Sequence, residues 1–331
     1  MKINSANCTS FRFGRGASRP GLCVAIACGL LLSPVLRAAE TSLAVPPASA
    51  VKQTTFKTPE EASEALILAA GQFDVAAMVA MLGTDGEDLV VTDDPVQDRN
   101  NASDFAEQAR VKTRVVRDSA DPRVANLVVG AEDWPMPIPI VEEGGRWRFD
   151  SAAGRTEILY RRIGRNELDA IESCRGYVAA QHEYALQRHD GSMVNQYAQR
   201  IISTPGKQDG LVWRDADGSL HGPISEGLAR ILAEGYTKQY DPVHGYYFKI
   251  LKGQGPAAPL GEMDYVVKGV MIGGFALVAA PAEYEVTGVK TFMVSNDGVV
   301  YEKDFGAATL EQFRKMELFN PDSSWEPVAS P

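Results

Sequence analysis

Asn166-Glu167-Leu168-Asp169-Ala170-Ile171-Glu172-Ser173-Cys174-Arg175-Gly176-Tyr177-Val178-Ala179-Ala180-Gln181-His182-Glu183-Tyr184-Ala185 is strongly periodic. Leu168, Ile171, Cys174 or Arg175, Val178, His182 and Ala185 recur at three- and four-residue steps. This spacing predicts an amphipathic helix of about six turns that breaks near Asp190-Gly191. Shorter helices are expected at Val194–Ile202 and Ile224–Gly235. Downstream, Gly245–Leu251, Tyr265–Val267, Phe275–Ala279, Thr291–Val294 and Val299–Tyr301 read as strands, the last two separated by the Asn296-Asp297-Gly298 turn. The second half is therefore expected to hold a long helix followed by an antiparallel meander.

Working back from Asn166, the chain opens its folded part at Thr58-Pro59-Glu60-Glu61. Thr58 suits a helix cap, Pro59 the first helical position and Glu61 the reciprocal place of a capping box. Ala62, Leu66, Ala69 and Phe73 share one face, Gly71 ends or kinks this helix, and Asp74 caps the next. Phe73 is placed to staple onto Met78, with Val75, Val79 and Leu82 turned inward. A third helix is expected from Ser103, then strands from Val124. Prolines 135, 137 and 139 lack the N–H that a central strand needs, so Trp134–Val141 reads as an edge strand or extended crossing. Gly144-Gly145 turns the chain into Arg146-Trp147-Arg148-Phe149, where polar and aromatic residues alternate.

Composition sets limits. The 331 residues hold 33 basic and 43 acidic side chains, a formal charge of −10, with 45% hydrophobic residues. That is globular composition, and it offers no electrostatic reason to seek nucleic acid. Lys2, Arg12, Arg15 and Arg19 precede an apolar run from Gly21 to Leu36 that ends in Arg37-Ala38-Ala39. Residues 1–39 are expected to be a secretory signal, with retention as an uncleaved anchor as the alternative and a lipoprotein site at Cys28 disfavoured. Those residues hold five basic and no acidic side chains, so the rest keeps 28 against 43, a charge of −15. Cys8, Cys23 and Cys28 also lie there, leaving only Cys174 and no intramolecular disulfide. An Ala-, Ser- and Pro-containing linker spans 40–56.

Two resemblances follow from particular strings. Gly164-Arg165-Asn166-Glu167-Leu168, Ser203-Thr204-Pro205-Gly206-Lys207-Gln208-Asp209-Gly210-Leu211, His244-Gly245-Tyr246-Tyr247-Phe248 and Met271-Ile272-Gly273-Gly274-Phe275-Ala276-Leu277 resemble an exported bacterial family known as domain of unknown function 2950. It implies no reaction. The second half alone, with its helix, its Gly-Tyr-Tyr-Phe and its Phe-Met-Val-Ser-Asn-Asp-Gly-Val-Val-Tyr, is similar to the globular part of type IV pilins and pseudopilins. It departs from them in having a whole unit before the helix and no apolar half-helix, which argues against filament assembly. The first half, ending in Glu143-Gly144-Gly145-Arg146-Trp147-Arg148-Phe149-Asp150, looks like the nuclear-transport-factor-2-like cone. These resemblances imply an α+β protein: a cone-like unit at 57–157 and a pilin-like unit at 158–331.

Few side chains are spaced to force catalytic convergence. His182 and His189 lie two turns apart on one helix, too far to chelate one ion by adjacent-turn geometry. Asp215, Asp217, Ser219 and Glu226 match calcium-loop positions, but Leu220 stands where the sharp turn needs glycine. Pro205–Gly210 lacks the spacing of a phosphate loop, and Cys174 lies in the apolar register of its helix. No metal or cofactor is expected. The candidates for ligand or partner binding are Lys207, Asp209, Trp213 and His244, with Trp134 and Trp147 at the mouth of the cone. The reading is a periplasmic or secreted, non-catalytic binding or assembly module. Its partner is an envelope protein or a small ligand, not nucleic acid, and no membrane span remains after signal cleavage. The competing reading is an envelope enzyme acting on a small molecule or glycan between the units through Lys207, Asp209 and His244.

Overall fold

The computed structural model describes residues 53–215, 217–224 and 244–329. Helix α1 (Pro59–Gln72) starts where the capping box places it: Thr58 Oγ1 accepts from Glu61 N at 3.1 Å, while the Glu61 carboxylate accepts from Lys57 N at 2.8 Å. The helix runs through Gly71 without a break and ends at Phe73 in the left-handed region. Asp74 then caps α2 (Val75–Leu82) by accepting from Ala77 N. Met78, Met81 and Leu82 are its buried residues, whereas Val75 and Val79 are half-buried.

The third helix, α3 (Pro95–Val111), starts eight residues earlier than Ser103, because Asp94 caps it and Pro95 occupies its first position. The first sheet holds β1 (Thr113–Arg117), β2 (Val124–Val129), β3 (Trp134–Pro135), β4 (Ile140–Glu143) and β5 (Arg146–Phe149) in antiparallel order β1-β2-β4-β5, with β3 on β2. Gly144 and Gly145 adopt φ of 60° and 76°, the mirror-image turn that a two-residue hairpin needs. Trp147 is buried, pairs with Phe56 and lies under the Arg117 guanidinium, so it is core and not the rim of an opening.

The helix expected from Asn166 begins fifteen residues earlier. Helix α4 (Ser151–Tyr184) runs unbroken for 34 residues, about 51 Å at 1.5 Å per residue. Asp150 caps it through Ala153 N, and buried Ser151 donates to Leu82 O. Gly154 packs so closely on Ile138 that an added Cβ would lie 2.7 Å from Cγ1. The helix therefore crosses position 157 while its first turns are embedded in the first half and its last turns in the second.

Beyond α4 the chain does not form a helix over 194–202. It runs irregularly into β6 (Arg200–Ile202), which pairs in parallel with β7 (Gly210–Arg214), itself antiparallel to β8 (Leu220–His221). Tyr197, Ala198 and Ile201 mimic a helical stripe, but the side chain of Gln181 captures Ala198 as a strand would. Gln181 Oε1 accepts from Ala198 N and Nε2 donates to Ala198 O, both at 2.8 Å. The helix expected at Ile224–Gly235 lies outside the described residues except for buried Ile224.

The expected meander is present as β9 (Tyr246–Leu251), with two small ladders of β10 (Gly253–Gln254) with β11 (Met263–Asp264) and β12 (Val266–Val267) with β13 (Val270–Met271). It continues through β14 (Ala276–Pro281), β15 (Lys290–Ser295), β16 (Val300–Asp304) and β17 (Glu326–Pro327), in antiparallel order β17-β16-β15-β14-β9. Neighbouring residues of β9 point to opposite faces. Tyr247 stacks on Phe313 of α5 (Thr309–Lys315), while Tyr246 is buried on the α4 side, where Glu167 and Cys174 help to raise its phenol after burial itself. The sheet is thus covered by α4 on one face and α5 on the other. Helices with predominantly antiparallel sheets make an α+β protein, and residues 50–331 group as one unit. Among the described residues no helix is long and apolar enough to cross a membrane.

Candidate functional site

The five expected binding residues separate into two groups along α4. Tyr184 Oη donates to Gln208 O, which fixes the Lys207–Trp213 segment at the C-terminal end of the helix. His244 instead meets Asp169, its Nδ1 lying 2.9 Å from Oδ2. Asp169 and Tyr184 are fifteen residues apart, about 22 Å along the axis. His244 is therefore not brought together with Lys207 and Asp209.

In the distal group, polar side chains are committed to local structure. Burial opposes ionisation of Asp209, yet hydrogen bonds from Thr204 N (2.7 Å) and Oγ1 (2.8 Å) prevail and hold its carboxyl below the usual carboxylate range. Lys207 N donates to Thr204 O, closing the same turn, and its side chain faces solvent. Half-buried Trp213 tilts against His189 at 5.6 Å, and His189 stacks on Tyr184 at 3.9 Å. Tyr184 is raised above the ordinary phenol value by burial, then by Asp190 and Asp209. This constellation pins a loop to a helix end.

Asp215, Asp217 and Ser219, matched in the sequence to a calcium loop, instead gather around His221, which that reading did not single out. On the β7–β8 turn, Ser219 Oγ lies 3.0 Å from His221 Nε2, and Asp215 Oδ2 lies 3.3 Å from the same nitrogen. A nucleophile triad needs its acid and its serine on opposite ring nitrogens. Here one Nε2 faces both groups, Ser219 donates its proton to Asp217, and the side chains of Asp215 and His221 are about half exposed. The arrangement is a hydrogen-bonded turn. Glu226 of the expected calcium loop lies outside the described residues, and among those described no three His, Cys, Asp or Glu side chains are placed to hold a metal ion. Cys174 is fully buried, and burial pushes its thiol up to about 12, the state of an inert core cysteine.

The proximal group is different because it leaves groups unused. Trp134 is 46% exposed, and the Arg161 guanidinium sits 5.5 Å from its ring centre. Arg161 is itself held by Pro135 O and Glu157, each at 2.7 Å. Arg165 is four residues beyond Arg161, and Arg162, Arg165 and Asp169 follow one another at steps of three and four. They therefore share one side of the helix, and Asp169 carries His244 at its end. Arg161 and Asp169 are about 12 Å apart along the axis. Trp134 and His244, 110 positions apart in the chain, thus flank one arginine-bearing strip. Arg162 and Arg165 are exposed and have no ion pair among the described residues. The two residues that create the strip, Arg162 and Arg165, were absent from the sequence-based candidates; the signal was four arginines within Ser151–Leu168 of an acidic chain.

Asn166 and Glu167, beside this strip, anchor the sheet. Asn166 Nδ2 donates to Thr287 O at 2.9 Å, and Glu167 Oε1 accepts from Val289 N and Lys290 N at 2.9 and 3.0 Å. Gly245 makes room for this clamp: its φ is 77°, and a Cβ there would lie 2.7 Å from Thr287. The resemblance strings therefore mark points where helix, loop and sheet are tied together. The sequence pattern of the family described as "Protein of unknown function (DUF2950)" matches residues 53–328, and the chain belongs to that family. No curated protein and no solved structure matches it.

Proposed function

We propose that this protein is exported to the cell envelope and acts there as a non-catalytic binding or assembly module that engages its partner through the exposed strip of α4. The N-terminal basic and apolar stretch supports export. The resemblance of the sequence over 57–157 to a nuclear-transport-factor-2-like cone, and of that over 158–331 to a pilin head, supports a scaffold built from two interaction modules that share α4. The observation that carries the reading is the contrast between the two groups of polar residues. Asp209 and the Tyr184–His189 pair are consumed by internal hydrogen bonds, whereas Arg162 and Arg165 are exposed with no ion pair among the described residues and Trp134 is half-exposed. An enzyme using Lys207, Asp209 and His244 together would need them in one crevice, and His244 binds α4 about four turns from the other two.

The test is a pull-down from envelope extract with the chain lacking residues 1–39, run beside the R162E/R165E variant, with mass spectrometry of proteins and small molecules. Loss of the captured partner from the variant is the expected result. Capture that is indifferent to the charge reversal overturns the assignment to α4. Conversion of a metabolite that disappears in Asp209→Ala overturns the non-catalytic reading.

A further inference from the structure

We infer that the α4 strip binds an acidic carbohydrate, a short chain of uronic-acid units, with a sugar ring stacked on Trp134 and its carboxylates on Arg162 and Arg165. This deepens the proposed function and rests on its assignment of the binding face. Three features of the strip select the ligand. First, Arg162 and Arg165 are planar forks with no ion pair among the described residues, and a guanidinium pairs bidentately with carboxylate. Their partner is anionic.

Second, the indole of Trp134 is a half-exposed apolar plane with the guanidinium of Arg161, one and four residues from those forks, over one side of it. Arg161 also holds the carbonyl of Pro135. An aromatic plane loses little conformational freedom on binding and suits the apolar CH face of a pyranose ring. Uronic acids carry both chemistries on each unit: a CH face for the indole and a carboxylate for the arginines.

Third, the surroundings disfavour the other anionic classes. A peptide added as a strand needs ladder donors, and prolines 135, 137 and 139 remove them along the segment that carries Trp134, so an acidic peptide would be held by its side chains alone. An anionic membrane is a broad negative surface, and the chain beyond residue 39 bears a formal charge of −15 that such a surface repels. A short soluble oligosaccharide meets only the strip.

The experiment titrates the chain lacking residues 1–39 with an oligogalacturonide, and with a neutral galactan oligomer of equal length, by isothermal calorimetry at low and high salt. Binding of the acidic oligomer alone, weakening as salt rises, is expected. Trp134→Ala should lower the affinity tenfold or more, R162E/R165E should abolish it, and R162K/R165K, which keeps the charge but loses the fork, should fall between. Circular dichroism establishes that each variant is folded. Equal binding of the neutral oligomer, no binding of either, or binding unchanged by the variants overturns the inference. So does binding of an acidic peptide or of phosphatidylglycerol vesicles in place of the uronide. If the uronide fails while the pull-down still loses its partner in R162E/R165E, the docking face stands and only the carbohydrate assignment falls.

Discussion

Thr291 is the one described side chain whose buried oxygen finds no hydrogen-bond partner. It lies in β15 and is fully buried. A hydroxyl in that position gives up water and receives nothing, at a cost of about 1–3 kcal/mol. Valine has the same shape without the polar atom, so Thr291→Val is expected to stabilise the fold by about 1 kcal/mol. The urea midpoint should rise with an unchanged slope. A lower midpoint would mean that the hydroxyl has a partner after all. Gln181 shows the opposite condition, since each of its amide groups is matched by Ala198 or Tyr177. A buried amide of this kind specifies where the 194–202 segment lies, which apolar periodicity does not. That is why this stretch reads as a helix in the sequence and is not one: Tyr197, Ala198 and Ile201 carry the spacing, and a residue seventeen positions away decides the backbone.

At the scale of elements, α4 separates what was legible from what was not. Signals confined to a few neighbours came through: the Thr58-Pro59-Glu61 start, the Asp74 cap, the Gly144-Gly145 hairpin and every main strand from β9 to β16. The first four turns of α4 did not, because Arg155, Arg161, Arg162 and Arg165 replace the apolar stripe and the Asp150 cap follows the strand end Phe149 without a gap. All but Arg155, which pairs with Asp88, belong to the candidate site, so one misreading concealed both. Two glycines of this helix give a paired prediction. A Cβ on Gly154 would meet Ile138 atoms at 2.7, 3.1 and 3.2 Å, one of them backbone, whereas at Gly164 nothing lies within 4 Å. Removing glycine from a helix gains about 1 kcal/mol. Gly164→Ala is therefore expected to stabilise by up to about 1 kcal/mol, while in Gly154→Ala overpacking of about 1–3 kcal/mol exceeds that gain. Thermal unfolding of both variants reads the two signs, and equal shifts would show that α4 is not seated on Ile138.

For the whole molecule, the question is whether a helix shared by two sheets makes one cooperative body. The sequence suggested a boundary at 157, and a boundary in an exposed linker would let each half unfold by itself. Here the chain at that point is the end of the second turn of α4, with Ser151 bonded to Leu82 on one side and Glu167 holding Val289 and Lys290 on the other. Unfolding either sheet strips one end of the helix of its packing, and an isolated amphipathic helix owes most of its stability to such packing. The halves are therefore expected to melt together. Trp134 and Trp147 lie in the first half, Trp213 and Trp325 in the second, so fluorescence resolves them if either pair is replaced by phenylalanine. Urea curves of W134F/W147F and W213F/W325F, each compared with its own far-ultraviolet dichroism, should coincide within each variant, as two-state unfolding requires. A fluorescence transition that precedes the dichroism in one variant and follows it in the other would instead establish two domains joined by a helix that frays at its middle. The α4 strip would then lie on a hinge, and its arginines would change their spacing whenever that hinge moved.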